Sequence, residues 1–159
     1  MNNATVLSQK QALTPVRAIF WGGLVAGTLD AVDGVIAYGT QGLNPIPVLQ
    51  YIASGALGSS AFQGGLATAA LGAAFHCTIA WAVAAVFVLA APRFEILKTH
   101  AVPAGLLYGA AVYCFMNYLV LPLSAVAAST FHLGLFLNGV IGHALFVGLP
   151  ISLFARRIQ

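Results

Sequence analysis

The sequence predicts an all-α polytopic membrane protein: a bundle of four transmembrane helices, with a short interfacial or re-entrant helix between the first and the second. Three observations support this prediction. Of the 159 residues, 60% are hydrophobic and only 6% are charged, whereas soluble domains carry about 25% charged residues. The mean hydropathy is +0.95. Finally, four segments stay apolar over the roughly 20 residues that a helix needs to cross a bilayer.

The four predicted spans follow one another as a single transmembrane domain, residues 17–155. Residues 1–16 form a polar N-terminal segment, and residues 156–159 form a short basic C-terminus. Each predicted span is long enough to cross the hydrocarbon core of a membrane. The spans cover residues 17–39, 64–91, 101–123 and 133–155.

A short additional helix is predicted between the first and second spans. This connection begins with "TQGLNP", whose Gly, Asn and Pro are typical of a turn. A stretch that can form a helix then runs from Pro47 to Leu57 and contains no charged residue. Such a segment is too short to span a membrane. It is predicted to lie at the interface or to re-enter the bilayer, with an ordered loop as the alternative.

The basic residues predict the orientation of the chain. Every one of them falls before or at the start of the first span, between the second and third, or after the fourth. They are Lys10, Arg17, Arg93, Lys98, Arg156 and Arg157. Because basic loops stay on the cytoplasmic side, both termini and the central loop are predicted to be cytoplasmic.

Two acids lie inside the first span, in the segment "GTLDAVDGVIA" (residues 27–37). An acid at the centre of a transmembrane helix costs about 2.5–3.5 kcal/mol on the insertion scale, so such residues commonly serve a function. At about 1.5 Å per residue, Asp30 falls in the outer half of the membrane and Asp33 nearer its outer surface. No Lys or Arg inside a span neutralises them.

Other polar residues are predicted at a similar depth. His76 and His143 fall near the middle of the second and fourth spans, and Asn117 falls in the outer half of the third. Asn138 is predicted to point away from His143. The predicted ligand or proton site consists of Asp30, Asp33, His76, Asn117 and His143.

Glycines spaced three, four or seven residues apart predict where helices pack closely, because small residues let backbones approach one another. In the first span, such glycines share a face with Asp30. In the second, they share a face with His76. The predicted packing positions are Gly23, Gly27, Gly34, Gly65, Gly72 and Gly139.

The polar residues are compatible with several chemistries. Histidines and carboxylates from separate helices could bind a transition metal or pass a proton. His76 and His143 could instead be the axial ligands of a b-type haem, with Gly72 and Gly139 leaving room for the macrocycle. The remaining alternative is that the histidines and asparagines only form hydrogen bonds between helices.

Soluble-enzyme and nucleic-acid functions receive no support. The sequence contains no nucleotide-binding loop and no GxSxG, HExxH or CxxC motif. An enzymatic activity is therefore not indicated, and no cofactor is predicted beyond the haem and metal alternatives. The net charge of +3 is too small and too dispersed for a nucleic-acid-binding surface.

Several short motifs resemble those of a group of small, uncharacterised bacterial inner-membrane proteins with four spans. These motifs are "GTLD", "LQYIASG", "TAALG" followed by His76, "MNYLVLPLS", and "VGLP" before the basic end. The resemblance extends from about Gly22 to Arg157. It implies a four-span fold and a bacterial inner-membrane location, and it assigns no activity and no catalytic residue.

Two main functions are compatible with these observations. The first is binding or transport of a small solute, proton or cation at the polar site. The second is a structural or accessory role in a larger membrane complex, and a haem-carrying electron-transfer subunit is a further alternative. Because four spans rarely enclose a pathway alone, a homo-oligomer or a larger complex is expected in the lipid bilayer.

Overall fold

The computed structural model describes residues 12–127 and 131–158, and it confirms the all-α prediction. Four of its helices are long and apolar enough to cross a membrane, so the chain is a multi-pass membrane protein that contacts the lipid bilayer. In chain order, the helices are α1 (Pro15–Gly39), α2 (Pro45–Leu57), α3 (Gly65–Ala90), α4 (Ile96–Thr99), α5 (Ala101–Val120) and α6 (Leu133–Ala155). The four long, apolar helices are α1, α3, α5 and α6.

The starts of α1 and α2 follow from local sequence. In α1, the side chain of Thr14 accepts a hydrogen bond from the backbone N–H of Arg17, and Pro15 occupies the first turn. In α2, Asn44 accepts from the N–H of Ile46 at 3.1 Å, again with proline in the first turn. Side-chain caps of this kind satisfy helical N–H groups that have no partner within the helix.

The two ends of the bundle carry different parts of the chain. At the end nearest both chain termini, which we call the terminal end, Leu13 pairs with Ile158, and the N–H of Leu13 donates to the Arg157 carbonyl at 2.8 Å. The α3–α5 connection lies at this end, where Leu97 packs beside Ile158. The opposite, distal end carries α2 and the described part of the α5–α6 connection.

The hydrophobic core fills the half of the bundle nearest the terminal end. Phe87, Val88 and Ile151 are buried there together with alanines from α1, α3 and α6. The Tyr108 ring of α5 lies 5.0 Å from that of Phe87, centroid to centroid, and its hydroxyl donates to the Val83 carbonyl of α3 at 2.7 Å. Tyr108 therefore ties α5 to α3 inside the core.

Removing the Tyr108 hydroxyl is expected to weaken the fold measurably. Tyr108→Phe keeps the ring contact with Phe87 but loses the hydrogen bond to Val83, so stability should fall by about 1 kcal/mol. Tyr118→Phe is the matched control, because Tyr118 is 66% exposed. Denaturant unfolding of both variants in detergent would measure the difference. Equal stabilities would show that the hydroxyl contributes nothing.

Helices α5 and α6 approach each other most closely through three glycines. A Cβ on Gly109 would overlap the backbone of His143, and one on Gly148 would overlap the backbone of Gly105. On the α5 side, these glycines form the motif "GLLYG" (residues 105–109). This is the G-x-x-x-G spacing that brings two transmembrane backbones together, and the sequence analysis did not identify it.

Among the glycines predicted to pack, four lie against a neighbouring element. A Cβ on Gly23 would overlap the Trp81 side chain, and one on Gly27 would lie 2.9 Å from the Cβ of Ala80. Both contacts join α1 to α3.

The other two glycines also lie against neighbouring helices. A Cβ on Gly72 would meet the Leu49 carbonyl of α2, which is not a span, and one on Gly139 would meet the Tyr113 ring of α5.

The packing role predicted for Gly34 and Gly65 is not seen. Among the described residues, no atom of a neighbouring element lies within 4 Å of a Cβ built on either glycine. Gly34 faces open space near the distal end of α1. Gly65 has a φ of +56° at the start of α3, so its lack of a side chain serves the backbone turn rather than a helix contact.

Helix α2 is held against the distal part of α3. Gln50 is buried, and its side-chain amide donates to the Gly65 carbonyl at 3.0 Å and to the Thr68 hydroxyl at 3.3 Å. At the other end of α2, the N–H of Ala125 donates to the Gly55 carbonyl at 2.9 Å. The predicted short helix is therefore present, and it is attached both to α3 and to the segment that follows α5.

Candidate functional site

A cavity of about 530 Å³ occupies the distal half of the bundle. All four spans contribute to its wall, and α2 covers it at the distal end. Its volume falls within the range of about 300–1,000 Å³ that is typical of small-molecule sites. Most of its lining is apolar, and polar side chains enter it at a few points.

The main polar cluster of the cavity is centred on Asp30. The carboxylate of Asp30 lies 3.3 Å (Oδ1) from Nδ1 of His143 and 4.0 Å (Oδ2) from Nε2 of His76. By helical rise, these residues lie about 14, 15 and 17 Å from the distal ends of α1, α6 and α3. The three side chains meet because they lie at a similar depth on helices that pack beside one another.

His76 is fixed in place by the backbone of α1. Its Nε2 lies 2.8 Å from the Gly27 carbonyl oxygen. Because a carbonyl oxygen can only accept a hydrogen bond, Nε2 must carry the proton. Gly27 permits this approach, since a Cβ at that position would crowd Ala80 and lie 3.9 Å from the same ring nitrogen.

His143 is less completely satisfied than His76. Its Nδ1 is buried and has no hydrogen-bond partner among the described residues. The Asp30 oxygen is near enough, but the two groups are not aligned for a hydrogen bond. The Tyr113 ring lies edge-on to the imidazole at a centroid distance of 5.3 Å. A buried polar atom without a partner is costly, so the imidazole of His143 is held beside Asp30 at some cost in stability.

Two wide helical turns shape the wall of the cavity. The backbone forms π-helical turns at Met116–Val120 in α5 and at His143–Gly148 in α6. Such turns occur frequently at functional sites, and these two carry Asn117 and His143.

Each π segment ends two residues before a proline, Pro122 or Pro150. A proline lacks the N–H that an α-helix would use and crowds the carbonyl four residues earlier. The two prolines are therefore the sequence signal by which the π turns could have been anticipated.

Asp33 does not join the Asp30 cluster, contrary to the prediction. It lies outside the cavity lining and accepts a hydrogen bond from the side-chain amide of Asn138 at 2.9 Å. Gly142 makes room for it, because a Cβ there would collide with the Asp33 carboxylate. The two acids are thus separated: Asp30 faces the cavity, and Asp33 joins α1 to α6.

The two asparagines line the cavity without joining the Asp30 cluster. Asn138 was predicted to point away from His143, and its amide donates to Asp33 rather than to His143. Asn117 lines the cavity too, but its amide donates to the Tyr113 carbonyl of its own helix at 3.0 Å. It therefore supplies a polar point on the wall without contacting Asp30.

The site does not fit the haem alternative. A haem held by His76 and His143 would need its macrocycle between the two imidazoles, but the Asp30 carboxylate faces both rings there. Within the described parts of the chain, no three His, Cys, Asp or Glu side chains are grouped so that they could hold a metal ion.

Comparisons with known protein families, with curated proteins and with solved structures find no match. What this chain does has therefore to be inferred from the geometry of its cavity.

Proposed function

We propose that this protein binds a small solute within the membrane, in the distal cavity, and that Asp30, His76 and His143 form the polar end of the binding site. One observation supports this proposal: a large apolar cavity contains a cluster of polar side chains that lie close together. This combination is typical of ligand sites. Transport of the bound solute or of a proton is an extension of the same proposal.

The shape of the bundle favours binding over a continuous pore. The cavity lies in the distal half, while Phe87, Val88 and Ile151 are closely packed in the half toward the terminal end. A solute that reaches Asp30 from the distal side would meet this core. Passage across the membrane would require the core to rearrange or a second subunit to complete the pathway.

The binding proposal can be tested with a saturable-binding assay on the purified protein. Naphthylethylamine, naphthylethanol and naphthylacetate share one apolar body and differ in the polar group. At least one should bind the wild-type chain and fail to bind Val112→Trp, which fills the cavity. Val86→Trp is the matched control, because Val86 is 63% exposed on the outside of the bundle. If none of the three binds saturably, the proposal fails.

We also propose that the protein lies in a bacterial inner membrane with both termini in the cytoplasm. The resemblance to small bacterial membrane proteins supports the location. The orientation is supported by the basic residues outside the spans, such as Arg93 and Arg157, which belong to the terminal end. The cavity would then open toward the outer side.

The orientation predicts which surface residues an impermeant thiol reagent can reach. Cys77 and Cys114 are first replaced by alanine, because both are exposed on the bundle. A cysteine at Ser59 should then react in intact cells, and one at Thr99 only after the cells are opened. Both positions are exposed in the structure. The prediction for Ser129 lies outside the described residues. Labelling of Thr99 but not Ser59 in intact cells would reverse the orientation.

If the protein also transports the bound solute or a proton, we expect it to form a homo-oligomer or to join a larger complex. A single bundle whose cavity ends on a packed core provides only half of a pathway. Native mass in mild detergent, with and without chemical cross-linking in the membrane, would test this extension. A strictly monomeric chain would leave the binding proposal intact but would argue against transport through a shared pathway.

A further inference from the structure

We infer that the ligand of this cavity carries a protonated amine on an apolar body, and that the amine binds at Asp30. This inference deepens the proposed function and rests on it. It follows from the hydrogen-bonding character of the groups that face the cavity and from the placement of the basic residues.

Three side chains of the cavity lining offer hydrogen-bond acceptors to a ligand. Asp30 is a carboxylate and, when ionised, can only accept. Each asparagine amide already donates one hydrogen bond elsewhere: the NH₂ of Asn138 donates to Asp33 and that of Asn117 donates to the Tyr113 carbonyl. Each asparagine therefore has its carbonyl oxygen available as an acceptor. A ligand that supplies donors complements this arrangement.

An ammonium group matches these acceptors better than a neutral or anionic group does. It has three N–H donors, so it can donate to Asp30 and to a second acceptor of the cavity wall at once. A hydroxyl has one, and a carboxylate has none. His143 Nδ1 lies 3.3 Å from the Asp30 carboxylate, but this nitrogen is buried, so it is not a contact for the ligand.

The surroundings also favour a cation. No Lys or Arg of the described chain lines the cavity. A cationic head group would therefore neutralise Asp30 without competition from the protein, whereas an anionic head group would face an unpaired carboxylate.

The matched naphthyl probes separate this inference from the proposed function. Wild-type protein should bind naphthylethylamine about 10- to 100-fold more tightly than naphthylethanol, because hydrogen bonds to charged groups are the strong ones. It should bind naphthylacetate least. In Asp30→Asn, the amine should bind no more tightly than the alcohol, while affinity for the alcohol is retained and reports that the cavity is intact. Glu95→Gln removes an exposed acid outside the spans and should leave all three affinities unchanged.

Each outcome has a distinct meaning. Binding of all three probes with equal affinity, or a preference for naphthylacetate, would overturn the amine inference while the binding proposal stands. Absence of binding by all three would overturn both. The order of affinities in the wild-type protein decides the matter even if the Asp30→Asn chain does not fold. Retention of the amine preference in a folded Asp30→Asn variant would show that another group binds the amine.

Discussion

Replacing Gly109 with leucine is expected to prevent α5 and α6 from packing. A Cβ at this position would overlap the His143 carbonyl and lie 2.7 Å from the Cα of Ala144. These are backbone atoms, so no side-chain rotation can relieve the clash, and the two helices must separate. The expected loss of stability is about 3 kcal/mol, at the upper end of the range for overpacking, and the binding site should be lost with it because α6 carries His143.

Gly34→Leu is the matched control for this prediction. Both glycines lie in transmembrane helices, but a Cβ on Gly34 has no atom of a neighbouring element within 4 Å in the described structure. Thermal unfolding in detergent, followed by size-exclusion chromatography, should show a monodisperse Gly34→Leu protein and an unstable or aggregated Gly109→Leu protein. Similar melting of the two variants would contradict the close α5–α6 crossing.

Replacing Gly72 with leucine should detach α2 from the bundle while the four spans remain folded. A Cβ on Gly72 would overlap the Leu49 carbonyl and lie 3.3 Å from the N–H nitrogen of Ala53, so α2 cannot keep its position. The distal cover of the cavity would be lost, and affinity for the naphthyl probes should fall at least tenfold, equivalent to about 1.4 kcal/mol.

Detachment of α2 can be followed directly at Ser54, which is 2% exposed. In a chain without other cysteines, Ser54→Cys should react slowly with a thiol reagent and much faster when Gly72→Leu is added. Ala74→Leu is the matched control, since Ala74 lies two residues further along α3 on an exposed face. A slow reaction in the Gly72→Leu background would mean that α2 remains docked.

The spans and α2 were predictable because their signals are local. The length of the hydrophobic segments defines the four long helices. A proline after a capping residue defines the start of α2, which begins at Pro45, two residues before the predicted start at Pro47. The depth of a residue in its span also follows from helical rise alone. For this reason, Asp30, His76 and His143 could be predicted at one level, and the structure places them within contact of one another.

The partner of Asp33 was not predictable in the same way. Asp33 accepts a hydrogen bond from Asn138, and this contact depends on how α1 and α6 are rotated about their axes when they pack together. The π turn of α6 begins only at His143, so Asn138 lies in the regular α-helical part of that helix. The prolines that accompany the π turns were visible in the sequence, but they give no information on this contact.

The docking of α2 has a consequence for the order in which the chain is assembled. During synthesis, α2 leaves the ribosome before α3, yet the residues that hold it, Gly65, Thr68 and Gly72, all belong to α3. Its last backbone contact, from Ala125 to Gly55, requires that α5 has also been made. At 13 residues, α2 is too short to cross the bilayer alone. The second helix to be translated can therefore complete its contacts only after two later spans have been made.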